Sequence, residues 1–338
     1  MKKIKTEEAA GFELCHDVTA MRDGFKGAAF KRGHIITESD IPELLKLGKK
    51  HVFIWESNAG EIHEDDAAKR LADLCKCDNS HFTEPSEGKI ILLANKRGLF
   101  CVDVDLLQKI NSVNDITIST LPNHYPVEKG ARLASMRIIP LVTQEKNIIE
   151  AENLCRNRKL MRLLPYKSMK AGIIITGSEI YNGLIQDKFE AVALKKLEKY
   201  PCEILDIKYC DDDLEMLNGA INYFLEQDAD IIIMSGGMSV DPDDLTPSAI
   251  INTGAEIISY GVPSQPGNMT LLAYLNNTAF IGVPGAAIIM PVTVFDVLLP
   301  QIFTGEKFSR GDLIRLGDGG LCQLCKNCRF PNCTFGKY

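Results

Sequence analysis

Beyond Pro165 the sequence settles into one rhythm, and that rhythm restricts the possible folds more than any other feature. Short apolar runs at 172–176, 203–209, 230–234, 256–260 and 278–283 alternate with helix-like stretches near 188–200, 213–227, 245–253 and 286–303. In the third run, Ile231, Ile232, Ile233 and Met234 are apolar at successive positions. Both faces of such a strand are buried, as in the interior of a parallel sheet. Repeated strand–helix–strand units predict an α/β fold, a doubly wound and mostly parallel sheet with helices on both faces.

Ligands of such sheets bind outside the carboxyl ends of the strands. The loops there are unusually rich in glycine and acid. After the first strand come Thr176, Gly177, Ser178 and Glu179, then Gly183 and Asp187. Asp211, Asp212 and Asp213 follow the second. The third ends in Ser235, Gly236, Gly237 and Ser239, with Asp241, Asp243, Asp244 and Thr246 close behind. "GVPSQPGNMT", containing Gly267, follows the fourth, and "GVPGAAIIM", containing Pro284 and Gly285, the fifth.

Glycine lets backbone N–H groups approach an anion, and the helix that follows adds its dipole. Two carboxylates ~5 Å apart at an effective dielectric near ~20 repel by roughly 3 kcal/mol. A shared divalent cation reverses that sign, and Mg²⁺, a hard ion that shares itself with phosphates, suits an oxygen-only rim. Taken singly, these residues have plainer uses. An acid after a strand is commonly a helix cap, which is all that Asp213 or Asp244 need be. Gly236 and Gly237 alone fit a tight turn as well as a phosphate loop. Gathered on one rim they point to a phosphate-and-metal site.

The first 165 residues read as a mixed α+β, partly β-rich region. Thr37, Glu38, Ser39 and Asp40 look like the start of a helix carrying Ile41, Leu44, Leu45 and Leu47, with Gly48 at its end and a strand at 51–55. A second helix is expected over 65–74. "KIILLA", "ITISTL" and "RLASMRIIPLV" are short β-type runs, and "YPVEKGARLASMRIIPLV" reads as paired strands around a turn at Gly130. Residues 147–164 form a helix-like connector. The division expected is 1–165, 166–310 and a tail over 311–338.

That tail, "GGLCQLCKNCRFPNCTFGKY", holds Cys322, Cys325, Cys328 and Cys333 of the chain's 11 cysteines. Cys15, Cys75, Cys77, Cys101, Cys155, Cys202 and Cys210 are scattered without a framework spacing. Two linked Cys-x-x-Cys steps and a fourth cysteine suit a cubane iron–sulfur cluster or a tetrahedral zinc, with a disordered thiol-rich tail as the alternative. The tail is expected to lie outside the core. The six histidines show no ligand spacing.

Composition excludes some classes. The 338 residues are 45% hydrophobic and 25% charged, ordinary for globular protein. A net charge of −7 with no basic stripe argues against nucleic acid. No apolar run reaches the ~18 residues of a membrane span, and "MKKIKTEEAAGFELCHD" lacks the apolar stretch of a signal peptide. A cytoplasmic protein without membrane association is expected.

"SGGMSVDPDDLTP" resembles the signature of the molybdopterin-binding fold of molybdenum cofactor biosynthesis, the MoeA, MogA and gephyrin group. On that resemblance Asp244 falls at the functional acid, and Glu179 of "TGSEI" at the acid of a "TGDE" turn. Asp187 and Asp212 fall at two further acidic positions, and Pro284 and Gly285 on the "LPGNP" loop. The N-terminal "FKRGHIITESDIPELLKLGKKHVFIW" is similar to a MoeA segment. The resemblance implies molybdopterin or the molybdenum cofactor as ligand, cradled by Ser235, Gly236 and Gly237. It implies Mg²⁺ on Asp187, Asp212 and Asp244 with Glu179, and Mg-dependent insertion of molybdate into adenylylated molybdopterin. Asp244, Asp212 and Glu179 would be catalytic. Thr176, Gly177, Ser178, Ser239, Thr246 and Gly267 complete the implied pterin contacts. A homodimer is implied, and a molybdoenzyme as possible recipient of the cofactor.

Two departures favour a cofactor carrier or sensor over an enzyme. "SQPGNM" lacks the lysine of the group's "KPGKP" loop, and Ala286 replaces the asparagine of "LPGNP". "DPDDLT" is also similar to the CinA family, which implies pyrophosphate cleavage of ADP-ribose-type nucleotides as a further alternative.

Overall fold

The computed structural model describes residues 1–22, 25–54, 59–238, 241 and 244–337. The chain divides into two compact units. One comprises Met1–Asn95, Val102–Leu121 and Lys129–Arg162; the other comprises Lys96–Cys101, Pro122–Glu128 and Leu163–Tyr338.

The first unit holds a four-stranded antiparallel sheet in the order Ser80–Phe82, Ile90–Ala94, Arg132–Ile138, Ile116–Thr120. Helix Glu64–Cys75 buries Ala67, Ala68, Leu71, Ala72 and Cys75, spaced as one helical face. Asp103 caps helix Val104–Asn111 by accepting the Leu106 amide at 3.0 Å. Helix Ile41–Lys46 and strand His51–Ile54 close a smaller core around Leu14, Ile36, Leu44, Val52 and Ile54. Trp55, the expected end of that strand, lies outside the described residues.

Two local expectations are corrected. The connector expected at 147–164 is a helix only over Glu145–Cys155, and Met161–Pro165 is a strand. The runs flanking Gly130 do not pair with each other. Tyr125–Val127 pairs with Gly98–Val102, whereas Arg132–Ile138 pairs with Ile90–Ala94 and Ile116–Thr120. The chain passes from one unit to the other just before the turn, between Glu128 and Lys129. Each strand therefore finds its partners within its own unit rather than across the turn.

The second unit carries a six-stranded sheet: β1 Met169–Thr176, β2 Cys202–Cys210, β3 Ile231–Ser235, β4 Glu256–Tyr260, β5 Leu271–Leu275 and β6 Thr278–Val283. Their order is β2-β1-β3-β6-β5-β4. The β2–β1, β1–β3 and β3–β6 pairs are parallel, while β5 runs antiparallel to both neighbours. This strand was not expected. It returns β4 to β6 through a tight turn at Asn276 and Asn277, and leaves β4 parallel to β6. The carboxyl ends of β1, β2, β3, β4 and β6 consequently share one rim.

Helices are α1 Phe189–Leu197, α2 Leu214–Glu226, α3 Thr246–Asn252 and α4 Val294–Ile302. Alternate residues of the inner strands feed two cores. Ile173, Ile231, Ile233 and Ile281 pack with Phe189 and Ala193 of α1 and Phe295 and Leu298 of α4. Ile174, Ile232, Met234 and Phe280 pack with Leu217, Ile221 and Phe224 of α2 and Ile250 of α3. Every residue of β3 is buried, as a strand covered on both faces requires. The helix expected over 286–303 is broken into Ala286–Ile289 and α4. The break falls where Thr293 and Asp296 form a capping box that starts α4. The cysteine tail is not outside the core: Phe335 is only 2% exposed, and the tail hydrogen-bonds to the 264–265 loop.

Candidate functional site

The rim is organised around the side-by-side ends of β1 and β2. Thr176, buried at the end of β1, donates its hydroxyl to Asp212 Oδ1 at 2.8 Å. Asp212 Oδ2 accepts the Ser178 amide at 2.9 Å and the Ser178 hydroxyl at 3.2 Å. Ser178 Oγ also lies 2.5 Å from Asp211 Oδ1. The two loops are thus cross-tied, with the one-turn helix Ser178–Tyr181 starting at the tie. Glu179 on that turn is exposed.

The loop after β3 packs against this tie. Gly236 has φ +94°, and a Cβ there would fall 2.1 Å from the Thr176 carbonyl oxygen, so no other residue fits without moving β1. Thr246, fully buried at the start of α3, donates its hydroxyl to Gly236 O at 2.8 Å and holds the loop shut. Ser235 is buried and Gly237 half-buried. Ser239 and Asp243 lie outside the described residues.

Asp244 does not cap α3, whose start has no side-chain cap. Its Oδ2 accepts the Asp241 amide at 3.1 Å, closing a turn within the loop. It stands near Tyr260, whose hydroxyl donates to Met238 O at 3.2 Å. Tyr260 as a residue is 45% exposed, yet local burial, followed by the Asp244 charge, raises its hydroxyl pKa.

Other acids cap helices. Asp187 accepts the Phe189 and Glu190 amides at 2.9 and 2.8 Å, at the start of α1. Asp213 accepts the Met216 amide at 2.8 Å and caps α2. Gly267 is buried against the start of α4, where its Cβ would lie 3.0 Å from the Val294 nitrogen. Pro284 is half-buried, while Gly285 is exposed and has nothing within 4 Å of a would-be Cβ.

Asp211, read from the sequence only as one of three rim acids after β2, shares Ser178 with Asp212, and two further side chains escape that reading: Tyr260 beside Asp244, and Tyr209. Tyr209 Oη donates to Glu190 Oε2 at 2.5 Å and lines an open groove of about 640 Å³ together with Asp187, Tyr181 and Ile185. Strand alternation was the available signal for Tyr209 and Tyr260, since both sit at the rim ends of strands otherwise facing cores.

Among the described residues, no three His, Cys, Asp or Glu side chains stand together as they would around a metal ion. Among the described residues the rim therefore presents no preassembled acidic cage. Mg²⁺ seldom needs one, because one or two carboxylates, waters and the ligand's own phosphates suffice. Half-buried Asp244 and Asp212 are compatible with that mode. The four tail cysteines all line one cavity of about 200 Å³, and no disulfide joins any of the described cysteines. Among the described residues no helix is long and apolar enough to cross a membrane.

Comparison with known proteins follows the same division. Residues 172–304 match a family described as "Probable molybdopterin binding domain", and residues 3–56 match a domain of unknown function (DUF8806). The chain is 28% identical over 144 residues to a molybdopterin molybdenumtransferase of Haemophilus influenzae, covering 40% of this chain and 35% of that protein. It is 39% identical over 80 residues to a CinA-like protein of Pseudothermotoga lettingae, covering 24% of this chain and 20% of that protein. The chain thus spans about a third or less of the length of these curated relatives. Among solved structures, it is similar to the tungsten cofactor synthesizing protein MoaB from Pyrococcus furiosus. The TM-score is 0.33 at 19% identity, covering 39% of this chain and 96% of that one.

Proposed function

We propose that this chain, whose residues 172–304 form a domain of the molybdopterin-binding family, binds a molybdopterin-type pterin at the rim formed by the ends of β1, β2 and β3. The observation that carries this reading is the cross-tie from Thr176 and Ser178 to Asp212, with Gly236 wedged beneath Thr176. It sets a glycine turn and a helix start side by side, so that backbone amides can receive a phosphate. Ser235, Gly236 and Gly237 would cradle the pterin's terminal phosphate. Thr246 keeps that turn closed, and Gly177 and Ser178 would flank the phosphate from β1.

Mg²⁺ would enter with the ligand, held by Asp244 and Asp212 together with the ligand's oxygens, and would neutralise charge on the phosphates. Asp187 lies at the edge of the groove beside Tyr209, and its two oxygens already serve the start of α1. As at Asp212, whose oxygens also accept hydrogen bonds, lone pairs remain with which Asp187 would join in holding the ion. The adenylylated pterin is the proposed substrate and molybdate its partner in insertion, within a cytoplasmic homodimer that passes the product to a molybdoenzyme.

Titration of the full chain with molybdopterin and with its adenylylated form, each with and without Mg²⁺, tests the reading. Saturable Mg²⁺-dependent binding supports it, and absence of binding to either ligand defeats it. Release of AMP on adding molybdate distinguishes an enzyme from a carrier that only binds. The 39% identity with a CinA-like protein over 80 residues favours one further reading, a nucleotide pyrophosphate hydrolase. Cleavage of ADP-ribose with Mg²⁺, without pterin binding, would select that one.

A further inference from the structure

Residues 320–335 form a loop with a fixed neck and an unsupported middle. On the incoming side the Gln265 amide donates to Gly320 O at 2.7 Å, and the Cys322 amide donates back to Gln265 O at 2.9 Å. Ser264 Oγ adds a bond to Gly320 O at 3.1 Å. On the outgoing side the Gly336 amide donates to Gly319 O at 3.0 Å, and Phe335 is buried. Tyr125 Oη reaches Asn332 Oδ1 at 2.5 Å.

Between these ties no helix or strand is formed, and Cys325 and Cys328 are exposed. A segment so poor in internal packing does not offset its own ordering entropy. What it does contain is C-x2-C-x2-C-x4-C, with all four cysteines lining the same cavity against Met290, Pro291 and Val292. Lys326 and Arg329 lie in the same stretch. They offset the net charge of about −2 that four thiolates leave on a divalent ion.

We infer that Cys322, Cys325, Cys328 and Cys333 hold one thiolate-ligated metal centre, zinc or an iron–sulfur cluster, and that this centre braces the two rim segments 263–268 and 290–293. The first segment is tied to the loop through Gln265 and Ser264, and the second forms the far wall of the cysteine cavity. Both end at the start of α4, where Gly267 packs on Thr293 and Val294. As the thiols do not stand together around a metal position, binding draws the middle of the loop inward while its neck stays fixed. Each thiol that binds releases its proton to solvent and gives a sulfur lone pair to the metal. The metal site stands without the pterin reading; that the braced segments belong to a pterin rim rests on it.

The test uses full-length protein purified without oxygen. Zinc, iron and acid-labile sulfide are counted, and amide exchange is compared for loaded protein, chelator-stripped protein and Cys328→Ser. About one zinc per chain, or about four iron and four sulfide with brown absorbance, is expected. Stripping is expected to speed exchange at 263–268 and 290–293 by at least about tenfold, with 231–235 unchanged. Protein that holds neither metal as purified, nor after adding Zn²⁺ or iron with sulfide, overturns the site. Equal exchange in loaded and stripped protein overturns the brace. If Cys328→Ser also loosens 231–235, the stripped parent alone decides. No arm uses pterin, so failure here and failure of pterin binding are separate results.

Discussion

Thr176 and Asp212 join the ends of two adjacent strands through a single 2.8 Å hydrogen bond. Thr176→Val keeps the branched shape and removes the donor. The half-buried carboxylate then loses one partner but keeps Ser178. Stability is expected to fall by about 1 kcal/mol, seen as a lower urea midpoint at unchanged slope. Pterin affinity should fall as well, since the tie aligns the two loops.

Asp244→Asn separates a loop-turn role from a metal role. The amide oxygen can still accept from the Asp241 amide, so stability should stay within about 1 kcal/mol of the parent. Mg²⁺ dependence of pterin binding should disappear, because a neutral amide is a poor ligand for a hard cation. A variant that still responds to Mg²⁺ in the titration would reduce Asp244 to a turn residue.

Two glycines give opposite results. Gly236→Ala forces a Cβ to 2.1 Å from Thr176 O at φ +94° and should cost about 3 kcal/mol or more in chemical denaturation. At Gly285 φ is −53° and the space is open, so Gly285→Ala should leave stability unchanged or raise it by about 0.5 kcal/mol. Lost pterin binding in this second variant would report contact with the ligand rather than damage to the fold.

Lys196 and Asp296 form a buried ion pair at 2.6 Å that fastens α1 to the start of α4. Asp296→Ala strands the lysine charge and also removes the capping partner of the Thr293 amide. A loss of about 3–5 kcal/mol is expected. Adding Lys196→Met should recover part of it. A double-mutant cycle with no recovery would show that the cap, and not the charge, dominates.

Lys337 carries a pH signature. Burial lowers its pKa to about 8, well below the unfolded value of about 10.4. Between those values the unfolded chain binds the extra proton, so the penalty is constant below about pH 8 and is lifted as pH rises toward 10.4. Relative to Lys337→Met, the parent should gain on the order of 1–2 kcal/mol across that window, discounted for partial exposure. Parallel melting-temperature profiles for parent and variant would remove Lys337 from the account.

The sheet of the second unit was legible because its inner strands are continuous apolar runs and its helices follow acids or glycines. β4 and β6 fall on the expected positions, 256–260 and 278–283. β5 was missed although Asn276 and Asn277 are a hairpin signal, because the surrounding βα rhythm suggested only parallel strands. Residues 157–164 suit a helix by sequence because a short apolar run does not declare its period, and a remote strand decides it. At the rim, the residue types could be read but not their partners. Asp212 meets Thr176 and Ser178 only because β2 lies beside β1, which is a tertiary fact. Asp187 illustrates the converse. Its role at the start of α1 was available from the chain order alone, in the two amides that follow it.

The hairpin between β5 and β6 turns at Asn276 and Asn277, both exposed, at the end of the sheet away from the ligand loops. With six residues in β6 the turn is roughly 20 Å from the rim. A dye, an affinity handle or a chip surface attached there would leave the loops untouched.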